Sequence, residues 1–163
     1  MPVIDELIEA NASYAAGFER GGLPMPPGRH VEVVTCMDAR LLPSRILGLE
    51  EGDAHVIRNA GGRAEEALRS LVISQRLLGT NEVMVIHHAD CGMLTFTNGQ
   101  LRAKVERDLG TDDGGIDYLP FSDIEQSVRD DIELLRASPL IADDVLIRGF
   151  VYDETNGRLA EIV

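Results

Sequence analysis

The chain offers two cysteines and four histidines for thiol or soft-metal chemistry, and three of these six stand where chemistry is done. Cys36 closes the apolar run Val31-Glu32-Val33-Val34-Thr35, and His88-Ala89-Asp90-Cys91-Gly92 follows a second run, Glu82 to His87. His-x-x-Cys spacing lets one turn present both side chains to a single ion, while Cys36 arrives from a different strand. A Cys₂His set suits zinc, whose three protein ligands leave a fourth position for water or another ligand. Two cysteines cannot make a disulfide scaffold. They remain open to three readings: core filler, the ends of a redox pair, or ligands. A non-catalytic module, with Cys36 and Cys91 closing a zinc site or forming a switchable disulfide, is therefore one alternative.

Asp38 and Arg40 follow the first cysteine at two-residue spacing. An ionised aspartate beside a metal-activated water accepts its proton in a hydrogen bond and orients it, and a paired arginine keeps that aspartate charged and aimed. The same carboxylate can instead swing onto the metal as a fourth ligand, or form a plain salt bridge at a strand end. His87 neighbours His88, but adjacent strand residues point to opposite faces, so a role away from the metal is expected. His30 and His55 read as strand-entry residues. Asp90 reads either as a hydrogen-bond acceptor behind the ligands or as a loop cap. Asn59-Ala60-Gly61-Gly62 lacks both a Gly-x-Gly-x-x-Gly run and a Walker lysine, so nucleotide binding is not expected.

The elements that must position these residues are legible from periodicity. A helix from about Ile4 to Phe18 is followed by a stiff connector, Gly21 to Gly28, rich in glycine and proline. Val31–Cys36, His55–Arg58, Glu82–His87 and Val145–Tyr152 read as buried strands. Ala64–Leu78 reads as an amphipathic helix through Ala67, Leu68, Leu71, Val72, Leu77 and Leu78. A further helix spans about Ser122 to Arg136, with Ser122 and Glu125 as a capping box. Gly110 to Phe121 reads as a solvated loop, and Thr155-Asn156-Gly157 as a turn into a short last strand. Strands alternating with helices predict an α/β fold with a mostly parallel sheet covered on both faces. Without repeats or linkers, residues 1–163 read as one domain, of which 1–28 form a helix and connector arm. In such sheets ligands gather at the carboxyl ends of strands near a reversal of strand order. Cys36, Asn59 and His88 all stand at such ends.

Composition narrows the partners. A net charge of −13 repels phosphate backbones and anionic lipid, so neither nucleic acid nor a membrane surface is an expected partner. No apolar run approaches the roughly 18 residues of a membrane span. No basic, apolar leader precedes the first helix, and cysteine scarcity fits a reducing cytoplasm.

Taken together, Cys36-Met37-Asp38-Ala39-Arg40 resembles the Cys-x-Asp-x-Arg motif of β-carbonic anhydrases, and His88-Ala89-Asp90-Cys91-Gly92 resembles that family's His-x-x-Cys-Gly motif. The segment Gly52 to Gly61 is similar to the stretch that links them, and weaker likeness runs on to Arg148–Asp153 and Gly157–Leu159. The resemblance implies zinc held by Cys36, His88 and Cys91 and an Asp38–Arg40 dyad beside it. It also implies an N-terminal helix packed on a partner subunit, in a homodimer or a multiple of dimers. The implied reaction is reversible hydration of carbon dioxide to bicarbonate by zinc-activated hydroxide. Relatives that hydrolyse carbonyl sulfide or carbon disulfide with the same centre supply the alternative. Plant-like members carry a substrate-binding glutamine where this chain has Pro26-Pro27-Gly28. Backbone N–H groups of Asn59, Ala60, Gly61 and Gly62 are the candidates to replace it. His87 stands where the family often has glycine. The absence of tryptophan argues against the bicarbonate regulatory pocket of some relatives.

Overall fold

A computed structural model describes residues 2–163. In chain order the elements are α1 (Val3–Ala16), β1 (Val31–Cys36), α2 (Pro43–Leu47), β2 (Ala54–Asn59), α3 (Ala64–Leu78), β3 (Glu82–His88), α4 (Asn98–Leu109), α5 (Ile124–Ala137), β4 (Leu146–Asp153) and β5 (Arg158–Glu161). The five strands form one sheet in the order β2-β1-β3-β4-β5. All neighbours run parallel except β4 and β5, which the turn at 155–157 joins as an antiparallel pair. This is the expected α/β architecture.

The apolar runs explain the sheet's centre. Val33, Val34, Val83 and Val85 are buried on the paired inner strands, as the two-sided burial of parallel strands requires. On one face α3 and α5 lie side by side, α5 over β3 and β4, α3 over β1 and β2. The core there joins Val34, Ala67, Leu71, Val85, Val128, Ile132 and Leu135. A β-carbon at Gly149 would collide with Val128, so the missing side chain is what lets α5 sit directly on β4. Leu77, which the apolar pattern places on the inward stripe of α3, is exposed. That stripe runs from Leu71 through Ser74 and Gln75, which are buried polar residues.

A further expectation is corrected, and one element is added. Ser122 does not cap α5: Asp123 is the N-cap and its side chain accepts from Gln126 N–H at 2.9 Å, because the helix starts at Ile124, one residue later than a Ser122 cap would set. Helix α4 has no counterpart in that pattern. Its apolar stripe is thin, Leu101 and Val105 half-buried and Leu109 exposed, none of its residues is buried, and its start is marked by the reciprocal capping box of Thr97 and Gln100.

The topology fixes where a ligand belongs. From β1 the chain crosses to β2 on one side, then returns past β1 to β3 on the other. Strand order therefore reverses at β1, and the crevice opens at the carboxyl ends of β1 and β3.

Candidate metal centre

The ends of β1 and β3 carry Cys36 and His88, and the turn after β3 carries Cys91. Ligand atoms of these three buried residues lie within 4.8 Å of one another. Tetrahedral zinc with sulfur at about 2.3 Å and nitrogen at about 2.0 Å spans such a triangle. Both cysteines are free thiols. His88 Nε2 is buried without a hydrogen-bond partner among the described residues, an orphaned acceptor that a cation would satisfy. The donor set therefore fits zinc in kind, number and spacing.

Electrostatics favour thiolate at this position. The neighbouring Cys91 thiol holds the Cys36 pKa down, to about 4, against the opposing effect of burial; His88 and backbone hydrogen bonds from Asp38 and Gly61 add to the lowering. Cys91 is pushed up, by Cys36 first and by burial second. For His88, burial works downward, but interactions with Cys36 and Glu154 outweigh it and the net direction is up.

Arg40 organises the rim. Its Nε donates to Asp38 Oδ1 at 3.0 Å and its Nη2 to Asp38 Oδ2 at 2.8 Å, while the Arg40 backbone N–H donates to Oδ1 at 2.9 Å. This grip holds the Asp38 carboxyl well below the usual carboxylate range, the side chain of Arg40 first and its amide second. Nη1 reaches Asp90 Oδ2 at 2.7 Å and Nη2 the Asp90 carbonyl at 2.9 Å. Asp90 thus serves Arg40 and does not touch His88.

Two residues that local spacing does not single out shape the same site. Arg58 donates to the carbonyls of Cys36 at 3.1 Å and Asp38 at 2.7 Å, clamping the backbone that presents both side chains. Glu154, just past β4, receives His88 Nδ1 and the Asp90 backbone N–H, at 3.2 Å to Oε1.

The Asn59–Gly62 loop packs against β1. Asn59 folds onto Arg63, its Oδ1 accepting from Arg63 N–H at 2.7 Å and its Nδ2 donating to Arg63 O at 2.8 Å. Gly62, at φ +72°, would drive a β-carbon to 2.9 Å from the Cys36 nitrogen, so only glycine brings the loop this close. Ala60 packs in the apolar cluster around Cys36, Leu41, Cys91 and Met93.

His87 points away, as strand alternation requires. It is fully buried between Ser127 Oγ at 2.7 Å and Asp131 Oδ2 at 3.1 Å. Asp131 is held in turn by Arg63 at 2.8 Å. His30 and His55 bond Gly79 O and Ser74 Oγ, far from the ligands in the topology.

Comparison with known proteins follows the same lines. A family model described as carbonic anhydrase matches residues 31–159. Beta-carbonic anhydrase 1 of Mycobacterium tuberculosis is 43% identical over 165 residues, covering 99% of both chains. The crystal structure of a carbonic anhydrase from Streptococcus mutans superposes with a TM-score of 0.95 at 49% identity, covering 100% of this chain and 99% of that one. Carbon disulfide hydrolase of an Acidianus strain is 32% identical over 180 residues, covering 96% of this chain and 87% of its own.

Proposed function

The chain belongs to the β-carbonic anhydrase family, and from that premise we propose that it hydrates carbon dioxide reversibly to bicarbonate at a zinc ion held by Cys36, His88 and Cys91. One observation carries the reading: two thiols and an unpartnered imidazole nitrogen converge beside an aspartate locked by arginine. When bound, zinc supplies the Lewis acidity that makes water nucleophilic near neutral pH.

The protein's own groups do the rest. A carboxylate has about four acceptor positions, two on each oxygen. Arg40 fills both on Asp38 Oδ1 and one on Oδ2, so a single lone pair remains on Oδ2. That lone pair accepts the O–H of the attacking water and fixes its orientation. Because Arg40 keeps Asp38 ionised, the acceptor is present throughout the working pH range. An alternative state has Asp38 as fourth ligand through Oδ2, the oxygen on which Arg40 makes one contact. We assign Asn59, Ala60, Gly61 and Gly62 to the wall along which the linear substrate lies, supported by Ala60's place in the ligand cluster.

Residues 1–163 form one catalytic unit in this reading, with 1–28 as an arm that joins copies into a dimer or a multiple of dimers. No described helix is long and apolar enough to cross a membrane. The paired free thiols suit a reducing cytoplasm, where they stay available to metal.

The 32%-identical carbon disulfide hydrolase favours a second reading, hydrolysis of carbonyl sulfide or carbon disulfide at the same centre. Zinc-loaded protein should hydrate carbon dioxide in stopped-flow assays and release little hydrogen sulfide from either sulfur substrate. Sulfide release with negligible hydration would reverse the assignment.

A further inference from the structure

The His88 ring is gripped at the end opposite the thiols. His88 is fully buried, its Nδ1 bonded to Glu154 Oε1 and its Nε2 without a partner among the described residues. Neutral imidazole carries one N–H. An acceptor-only carboxylate at Nδ1 draws that proton to Nδ1 and leaves the Nε2 lone pair free, the tautomer a ligand needs.

Glu154 is built into place. The β3–β4 register sets His88 opposite Tyr152, so an extended chain would carry Glu154 past the ligand. Instead Asp153 turns the chain, its Oδ1 accepting from Thr155 N–H at 2.8 Å and its carbonyl from Gly157 N–H at 2.8 Å. Glu154 is left with its side chain only 10% exposed and Oε1 3.9 Å from Arg40 Nη2. The Asp90 backbone N–H completes its partners. One carboxylate thereby touches the ligand histidine, the turn bearing Cys91, and the arginine that holds Asp38.

We propose that Glu154 is the positioning residue of this centre, fixing the tautomer and ring orientation of His88 and binding the ligand side of the site to the Asp38–Arg40 side. The inference rests on the zinc reading above. A carboxylate behind a ligand histidine also raises its basicity, and loss of such a partner typically weakens metal binding about 10–100-fold.

The test compares wild type with Glu154→Leu, Glu154→Gln and Glu154→Asp, by chelator competition for zinc and by visible absorption of the cobalt-substituted proteins. Glu154→Leu should lose about 10–100-fold in zinc affinity and shift the cobalt spectrum. Glu154→Gln, whose amide oxygen still accepts from Nδ1–H, should recover most of the affinity. Glu154→Asp keeps the charge but shortens the reach and should fall between them. Melting temperatures of the metal-free proteins separate this from a merely structural role, which would lower melting with zinc affinity intact. Wild-type zinc affinity in Glu154→Leu would overturn the proposal. If that variant fails to fold, wild-type affinity and spectrum in Glu154→Asp would do the same. Failure of the wild type to bind zinc would bring down both readings, whereas tight wild-type binding with unchanged variants would sink this one alone.

Discussion

Asp38 carries the sharpest prediction at the residue scale, because its geometry leaves it one free acceptor position. Asp38→Asn replaces an oxygen by an NH₂ group that faces the donors of Arg40, so the bidentate grip breaks and the acceptor turns away. Loss of a positioned proton acceptor typically costs about 10²–10⁴-fold in rate. Stopped-flow kcat/KM should fall by that order while zinc content stays at the wild-type level. Zinc loss in this variant would assign Asp38 to the ligand set instead. Arg40 pulls Asp38 below the usual range, so this carboxylate adds no limb to the rate profile near neutrality. Cys36, Asp38, Arg40, His88 and Cys91 are legible in the sequence because each pair or triple lies within five residues at the end of an apolar run. Glu154 is not. Its contact with His88 spans 66 residues and depends on strand register plus the bend at Asp153, neither of which local spacing encodes. Arg58 is hidden for the same reason, since it acts across the β1–β2 pairing.

Elements follow a similar rule: those with a clear apolar period are readable, whether that face is buried, as in α3, or exposed, as in α1. The bounds of β1 and α3 coincide with the apolar pattern, whereas α4 is betrayed chiefly by Thr97 and Gln100. Between β1 and α3 lies a polar seam that the apolar run of β1 conceals. Glu32 is fully buried there; its Oε1 accepts from Thr80 Oγ1 at 2.6 Å, and Oε2 has no partner among the described residues. Burial pushes its pKa up to about 6 from 4.5, with the hydrogen bond from Thr80 opposing. A folded-state value above the unfolded one means the native state holds the extra proton between those two pH values. Stability from this group is therefore greatest in acid and is lost as pH rises through about 6. Each tenfold gain in proton affinity on folding is worth roughly 1.4 kcal/mol. Glu32→Gln keeps an acceptor for Thr80 and removes the titration. Urea unfolding from about pH 4.5 to 8 should show the variant gaining about 2 kcal/mol on wild type as pH rises, the free energy of carrying a pKa from 4.5 to about 6. Parallel curves would place the ionised carboxylate in a solvated site and refute the account.

For the whole molecule, α1 is the element that a single chain leaves unexplained. None of its fourteen residues is buried, and Val3, Ile4, Leu7 and Ile8 are each more than 60% exposed. Polar contacts tie this arm to the body, Tyr14 Oη donating to Glu51 at 2.5 Å and Arg20 pairing with Glu50 at 3.3 Å. An isolated helix of about this length is marginal in water, so its apolar stripe needs a partner surface. Ile4, Leu7 and Ile8 recur at helical spacing, and a second copy of the chain is the partner the resemblance implies. Two copies each carrying −13 repel one another, and salt screens that repulsion within a Debye length of roughly 8 Å at 0.15 M. Sedimentation should therefore show the wild type as a dimer or larger, held more tightly as salt rises. Leu7→Asp with Ile8→Asp places charge in the stripe and should reduce the mass to that of one chain while the circular dichroism of the sheet domain persists. A wild-type mass in the double variant, or association that weakens as salt rises, would show that α1 does not join the copies and that charge, not apolar burial, holds them.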